Sequence, residues 1–218
     1  MSFFEDWIGA HIKESDDDYE KYHKKSKGEI GYIPKNSFLC DGIMFEDKYK
    51  NSSPKILFIS KECHAWEHNK KNDESLVNER KDYFYVREEI ENEKHRFIQG
   101  LAMLCNAIIN DNYTVPVKKD FSKLKGAAFI NLNKRGGYKW CDNKTLDEYV
   151  HKYSDNTKQQ INDINPDIIV CCGKEVKTLL DKYGLAEGRK TICVYHPSYY
   201  RVSDKKKLQL LEDEMNRK

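Results

Sequence analysis

The sequence predicts an α/β protein, with three layers (helices, sheet, helices) around a central, four-stranded, mostly parallel sheet. Three observations carry this. Four short apolar runs, "KILFIS" (55 to 60), "AAFINL" (127 to 132), "DIIVCC" (167 to 172) and "TICVYH" (191 to 196), have the near-continuous hydrophobicity of strands buried on both faces. Helix-like stretches at 86 to 110, 145 to 164 and 174 to 183 separate them, the first carrying Ile90, Phe97, Ile98, Leu101, Leu104 and Ile108 as its apolar positions. Strand and helix therefore alternate, as in a doubly wound sheet with right-handed crossovers.

The ends frame this core. Phe4, Trp7, Ile8, Ile12, Tyr19 and Tyr22 suit one or two amphipathic helices broken near "ESDDD", and 38 to 49 suits a hairpin or a short strand followed by a turn. "NSSP" then punctuates the chain. A single domain over 1–218 follows, with a helical or irregular lid at 1–50, the core at 54–202 and a C-terminal helix at 203–218. A chain of 218 residues is long enough to bury roughly 70% of the surface its unfolded form exposes.

Composition narrows the class. The chain is 34% charged and 12% aromatic, which does not match the aromatic-poor signature of disorder. No apolar run reaches the length of a membrane span, and the N-terminal stretch is acidic where a secretion signal is basic and apolar, so a cytoplasmic protein with no membrane partner is expected; a monomer is the expected state. Seven scattered cysteines without a Cys-x-x-Cys pair read as reduced thiols rather than disulfides or a cluster. The net charge of +2 is nearly neutral, but "VKKDFSKLK" (117 to 125), "NKRGGYK" (133 to 139) and "RVSDKKK" (201 to 207) concentrate positive charge. Each can equally be solvated surface.

Ligands of open parallel sheets bind outside the carboxyl ends of the strands, so the four strand exits are where chemistry is expected. They read "SKECHAW", "NLNKRGG", "CCGKE" and "HPSYYR". Glu62 supplies a carboxylate that can orient water or steady a cation. Asn131 supplies a donor and an acceptor together, Gly173 a backbone that can be closely approached, and His196 a hydrogen bond for a departing oxyanion. This set suits cleavage of an N-glycosidic bond, where the sugar gains positive charge and the leaving base gains negative charge.

"ILFISKE", "FINLNK", "INPDIIVCCG" and "YHPS", in that order across residues 54 to 202, resemble the uracil-DNA glycosylase superfamily, in particular a distant bacterial branch whose first motif ends in Lys-Glu. The resemblance implies catalytic roles for Glu62, in the place of a water-activating aspartate, and for His196, hydrogen-bonded to the base carbonyl. It implies base reading by Asn131 and further substrate contacts from Lys61, His64, Trp66, Lys134, Gly173 and Ser198, the serine on a phosphate. It also implies that Tyr199, Tyr200 and Arg201 push into the duplex, with Arg135 on the DNA. The target base would be flipped out and held by stacking, with Trp66, Phe84 and Tyr85 as candidates for the stacking ring. Basic segments would make binding salt-dependent. Ser60 and Cys63 replace the family's usual glycine and proline, and His64 stands where a tyrosine or glycine shapes the uracil pocket. The pocket wall therefore differs from that of a standard uracil enzyme.

The same residues admit plainer readings. Glu62 suits the first turn of a following helix, Asn131 a turn, Ser198 an N-cap and Cys171 and Cys172 core packing. Cys63, His64 and His68 approach a zinc spacing, but no fourth ligand declares itself and neither metal nor cofactor is expected. One of Tyr199 and Tyr200 is expected under the C-terminal helix and the other exposed. The expected activity is a DNA glycosylase releasing uracil or another modified base, in DNA repair. The alternatives are a catalytically weak or inactive nucleic-acid or modified-base binder, for example in phage defence, and a hydrolase of free nucleosides or nucleotides.

Overall fold

The computed structural model describes residues 7, 9–10, 13, 15, 41–64, 85–88, 90, 95–116, 120–137 and 142–217, with backbone alone at 63–64, 85, 88 and 135–137. Within these residues the sheet has five strands: β1 (Gly42–Ile43), β2 (Ile56–His64), β3 (Ala128–Gly137), β4 (Ile168–Cys172) and β5 (Lys190–Val194). They lie in the order β1-β3-β2-β4-β5. The four long strands are parallel, as the apolar runs predict, and the added β1 pairs antiparallel with β3.

The helices are α1 (Glu46–Lys50), α2 (Tyr85–Glu88), α3 (Arg96–Asn110), α4 (Asn143–Lys152), α5 (Ser154–Ile164), α6 (Lys174–Lys182) and α7 (Asp204–Asn216). The chain travels one way along the sheet from β2 to β3 and the other way from β3 through β4 to β5. Right-handed crossovers then require the intervening helices on opposite faces. Accordingly Ile98, Leu101 and Leu104 of α3, with Leu208 and Leu211 of α7, pack on Phe58, Phe129 and Val170. Leu146, Ile161, Ile164, Val176 and Leu180 of α4 to α6 pack on Leu57, Ile59, Ile130 and Ile169. Each large aliphatic side chain so buried contributes about 1.5–3 kcal/mol. These are the three expected layers.

Several boundaries differ from expectation. The single helix expected at 86–110 is two, α2 and α3, with Ile90 in a turn between them; the one at 145–164 breaks at Tyr153 into α4 and α5. β2 and β3 run past their apolar segments, because polar residues continue the parallel ladder through Glu62↔Asn133 to His64↔Gly137, with an irregularity between Glu62 and His64. Residues 41–50, expected in a lid, belong to the core.

Asp41 shows why. Its carboxylate is 1% exposed and accepts from the Lys134 ammonium at 2.7 and 3.0 Å, the Gln160 amide at 2.9 Å and the Asn131 backbone N–H at 2.8 Å. Lys134 is fully buried, also donates to the Asn131 carbonyl at 2.7 Å, and lies 5.2 Å from the Trp7 ring centroid. Burial pushes the Asp41 carboxyl pKa up, and Lys134, Asn131 and Gln160 pull it back. An ion pair so deep is tolerable only with its hydrogen bonds complete, and removing one partner strands a charge.

Lys134→Met is therefore expected to destabilise the protein by about 3–5 kcal/mol in urea unfolding, and Asp41→Leu with Lys134→Met to recover most of that loss. A single-variant loss below about 1 kcal/mol would show that the pair does not hold this edge.

Candidate active site

Residues two apart on a strand share a face, and residues one apart do not. Phe58 and Phe129 face α3, so Ser60 and Glu62 on β2 and Asn131 and Asn133 on β3 face that side too. Register sets Ser60 beside Asn131 and Glu62 beside Asn133, and the Asn133 amide donates to the Glu62 carboxylate at 3.2 Å. Cys172 stands level with Val194 at the ends of β4 and β5. β2 and β3 thus project beyond β4 and β5 by about four residues, or ~13 Å, leaving a step at the carboxyl edge.

His196 lies just beyond β5 on the same face. Its ring stacks on Phe97 at 5.2 Å and 25°, and Phe97 meets Phe129 edge-on at 5.6 Å. Phe97 thereby ties the histidine to the β3 side of the sheet. Two strand spacings, about 10 Å, separate β2 from β5. The lower row, Asn131, Ser60 and Cys172, forms the floor of the step.

Three elements hold the His-Pro-Ser loop. The Ser198 hydroxyl and the His196 Nδ1 are 2.9 Å apart, and the Tyr199 N–H donates to the His196 carbonyl at 2.8 Å. The buried Lys207 donates to the Pro197 carbonyl at 3.0 Å. From α3, Gly100 comes so close that a Cβ there would stand 2.5 Å from the Pro197 carbonyl oxygen. At the exit of β4, Gly173 has φ 129°, a region that side chains disfavour, so the turn into α6 favours glycine. Its N–H is already donated to the Cys171 carbonyl.

The structure thus gathers Glu62, Asn131 and His196 on one face of one edge, with Gly173 at the same edge. Lys61 and Lys134 do not join them, because alternation turns both to the other face. Lys61 reaches the Asn143 carboxamide oxygen at the start of α4 (3.4 Å), and Lys134 is enclosed with Asp41. Ser198, expected on a phosphate, has its hydroxyl against the His196 ring. Tyr199 and Tyr200 are both exposed, at 39% and 68%, so neither packs under α7 as expected. Tyr199 stacks near Tyr195 at 6.2 Å, and the Arg201 guanidinium lies 5.7 Å from the Tyr200 ring centroid.

Of the basic segments, Lys123 lines a 330 Å³ cleft with Lys48, Ser52 and Gly126 at the amino edge of the sheet, away from these residues. Lys207 and Lys134 are spent in the interior, leaving Arg201, Lys205 and Lys206 exposed near the loop. Trp66, Phe84, Cys40 and His68 lie outside the described residues, as do the side chains of Cys63, His64, Tyr85 and Arg135. Among the described residues no three His, Cys, Asp or Glu side chains converge as metal ligands would.

Sequence reasoning missed Asn133, Phe97, Gly100 and Lys207. Asn133 was recoverable, since it shares the parity of Asn131 and stands opposite Glu62 once β2 and β3 pair in register. Gly100, a glycine within an otherwise apolar helix stretch, signals close backbone approach. No family model matches the chain, and no curated protein matches it significantly.

In a helix interior Gly→Ala ordinarily gains about 1 kcal/mol. Here Gly100→Ala is expected to lose about 1–3 kcal/mol through overpacking, and to move the His196 imidazole NMR signals as Pro197 is displaced. Unchanged imidazole shifts with a raised melting temperature would contradict this packing.

Proposed function

We propose that the protein is a DNA glycosylase that hydrolyses the N-glycosidic bond of a flipped uracil or other modified base. One observation carries the reading: a carboxylate (Glu62), two carboxamides (Asn131 and Asn133) and an imidazole (His196) share one face at the carboxyl edge of the sheet. In this reading Glu62, oriented by the Asn133 amide, positions water and stabilises the positive charge growing on the sugar. Asn131 pairs with the edge of the base. His196 donates a hydrogen bond to the base oxygen as the base departs with the bonding electrons. In this reading Nδ1 is engaged with the Ser198 hydroxyl, Nε2 serves the base, and no metal is required.

The four parallel strands in three layers, with their motifs at one edge, support the resemblance to the uracil-DNA glycosylase superfamily. Tyr199, Tyr200 and Arg201 adjoin the step and would contact DNA, stacking on bases or filling the space a flipped base vacates. That exposed group also supports a second reading, a modified-base or nucleic-acid binder without chemistry.

Single- and double-stranded DNAs bearing uracil, deaminated purines or hypermodified pyrimidines, assayed for abasic sites, separate the two. At least one base is expected to be released, with Glu62→Gln slowing release by about 10²-fold or more and His196→Ala by a similar factor. Full activity in Glu62→Gln sinks the assignment, and release of any base rejects the pure binder.

A further inference from the structure

Ser60 is 2% exposed, and its hydroxyl has no hydrogen-bond partner. An unsatisfied buried hydroxyl is a net cost to the folded protein unless something outside the protein satisfies it. The adjacent Cys172 thiol is its near polar contact, and a sulfur that also lies 3.9 Å from the Val170 carbonyl is too weak a partner to satisfy a buried hydroxyl. On the other side the register partner is Asn131, 5% exposed. Its backbone N–H and carbonyl are taken by Asp41 and Lys134, but its side-chain carboxamide makes no hydrogen bond to the described residues. Two neighbouring polar side chains, one strand spacing or about 4.8 Å apart, are thus held in the floor of the step with no oxygen or nitrogen partner for either among the described residues.

We infer that Ser60 and Asn131 form one recognition pair for the lactam-type edge of a planar heterocycle, with Ser60 as a specificity-determining residue. The carboxamide offers a donor and an acceptor together, the complement of a ring N–H beside a ring carbonyl. The hydroxyl, free to rotate, supplies a third hydrogen bond to an adjacent heteroatom. Phe97, packed between Phe129 and His196, gives the apolar wall against which such a ring lies. The inference rests on the proposed reading of this edge as a base site and adds Ser60, a residue to which that reading gives no role.

The test uses the full chain and free bases: uracil, hypoxanthine and xanthine as lactam probes, and unsubstituted purine as the control. Calorimetric titration is expected to detect at least one lactam base, with purine weaker. Ser60→Ala should weaken that base about tenfold, the loss of one hydrogen bond, and Asn131→Ala about a hundredfold, the loss of two. Ser60→Ala should also raise the melting temperature of the unliganded protein, because it deletes an unsatisfied polar group. A serine that merely supports the fold would lower it. Failure of the wild-type protein to bind any lactam base, wild-type affinity in Ser60→Ala, or a lowered melting temperature in that variant each overturns the inference. Binding without release of any base from DNA overturns the glycosylase reading and leaves the recognition pair standing.

Discussion

The buried ion pair between Asp41 and Lys134 sets the geometry on which the candidate site depends. It joins the segment before β1 to the far part of β3, and the same carboxylate accepts from the Asn131 N–H while the same ammonium donates to the Asn131 carbonyl. Both backbone groups of Asn131 are therefore fixed at the β1 edge of β3, and its side chain is left on the α3 face of the sheet. The desolvation cost of such a pair is several kcal/mol per ion, and the offsetting bonds from Gln160 and Asn131 make the arrangement intolerant of change. Fixing a polar side chain at a site in this way spends stability on position.

From that anchor the rest follows through strand parity. β2 and β3 pair through Glu62↔Asn133, so one face of the projecting ribbon collects Ser60, Glu62, Asn131 and Asn133, and the other takes Lys61 and Lys134. Because β4 and β5 stop at Cys172 and Val194, the ribbon overlooks a step, and the loop after β5 returns His196 across it. Phe97, Gly100 and Lys207 are the means of that return. Two of them are on α3 and one on α7, the helices that cover this face.

Much of the fold is legible in the sequence because buried parallel strands leave apolar runs that little else produces. The step is not, since the polar continuations of β2 and β3 look like loop. Alternation along a strand is enough to separate Glu62 from Lys61 and Asn131 from Lys134, but only when these motifs are read as strand; read as loops at the strand exits, they carry no such parity. Lys134 and Lys207 look like surface in any charge count, because burial is decided by partners far away in sequence, Asp41 and the Pro197 carbonyl. The His-Pro-Ser motif indicates His196 correctly as an edge residue but says nothing of Phe97, about a hundred residues earlier, on which it stacks.

Ligand is expected on the Glu62 face of the carboxyl edge. Backbone and side-chain NMR titration of the labelled protein with short DNA strands carrying 2′-fluorinated uracil, hypoxanthine or xanthine nucleotides, whose glycosidic bonds resist cleavage, tests this. Saturable shifts are expected, concentrated at residues 60–62, 131–133, 172–173 and 196–201. Shifts confined to the amino-edge cleft around Lys48, Ser52 and Lys123, or none with any strand, would contradict it.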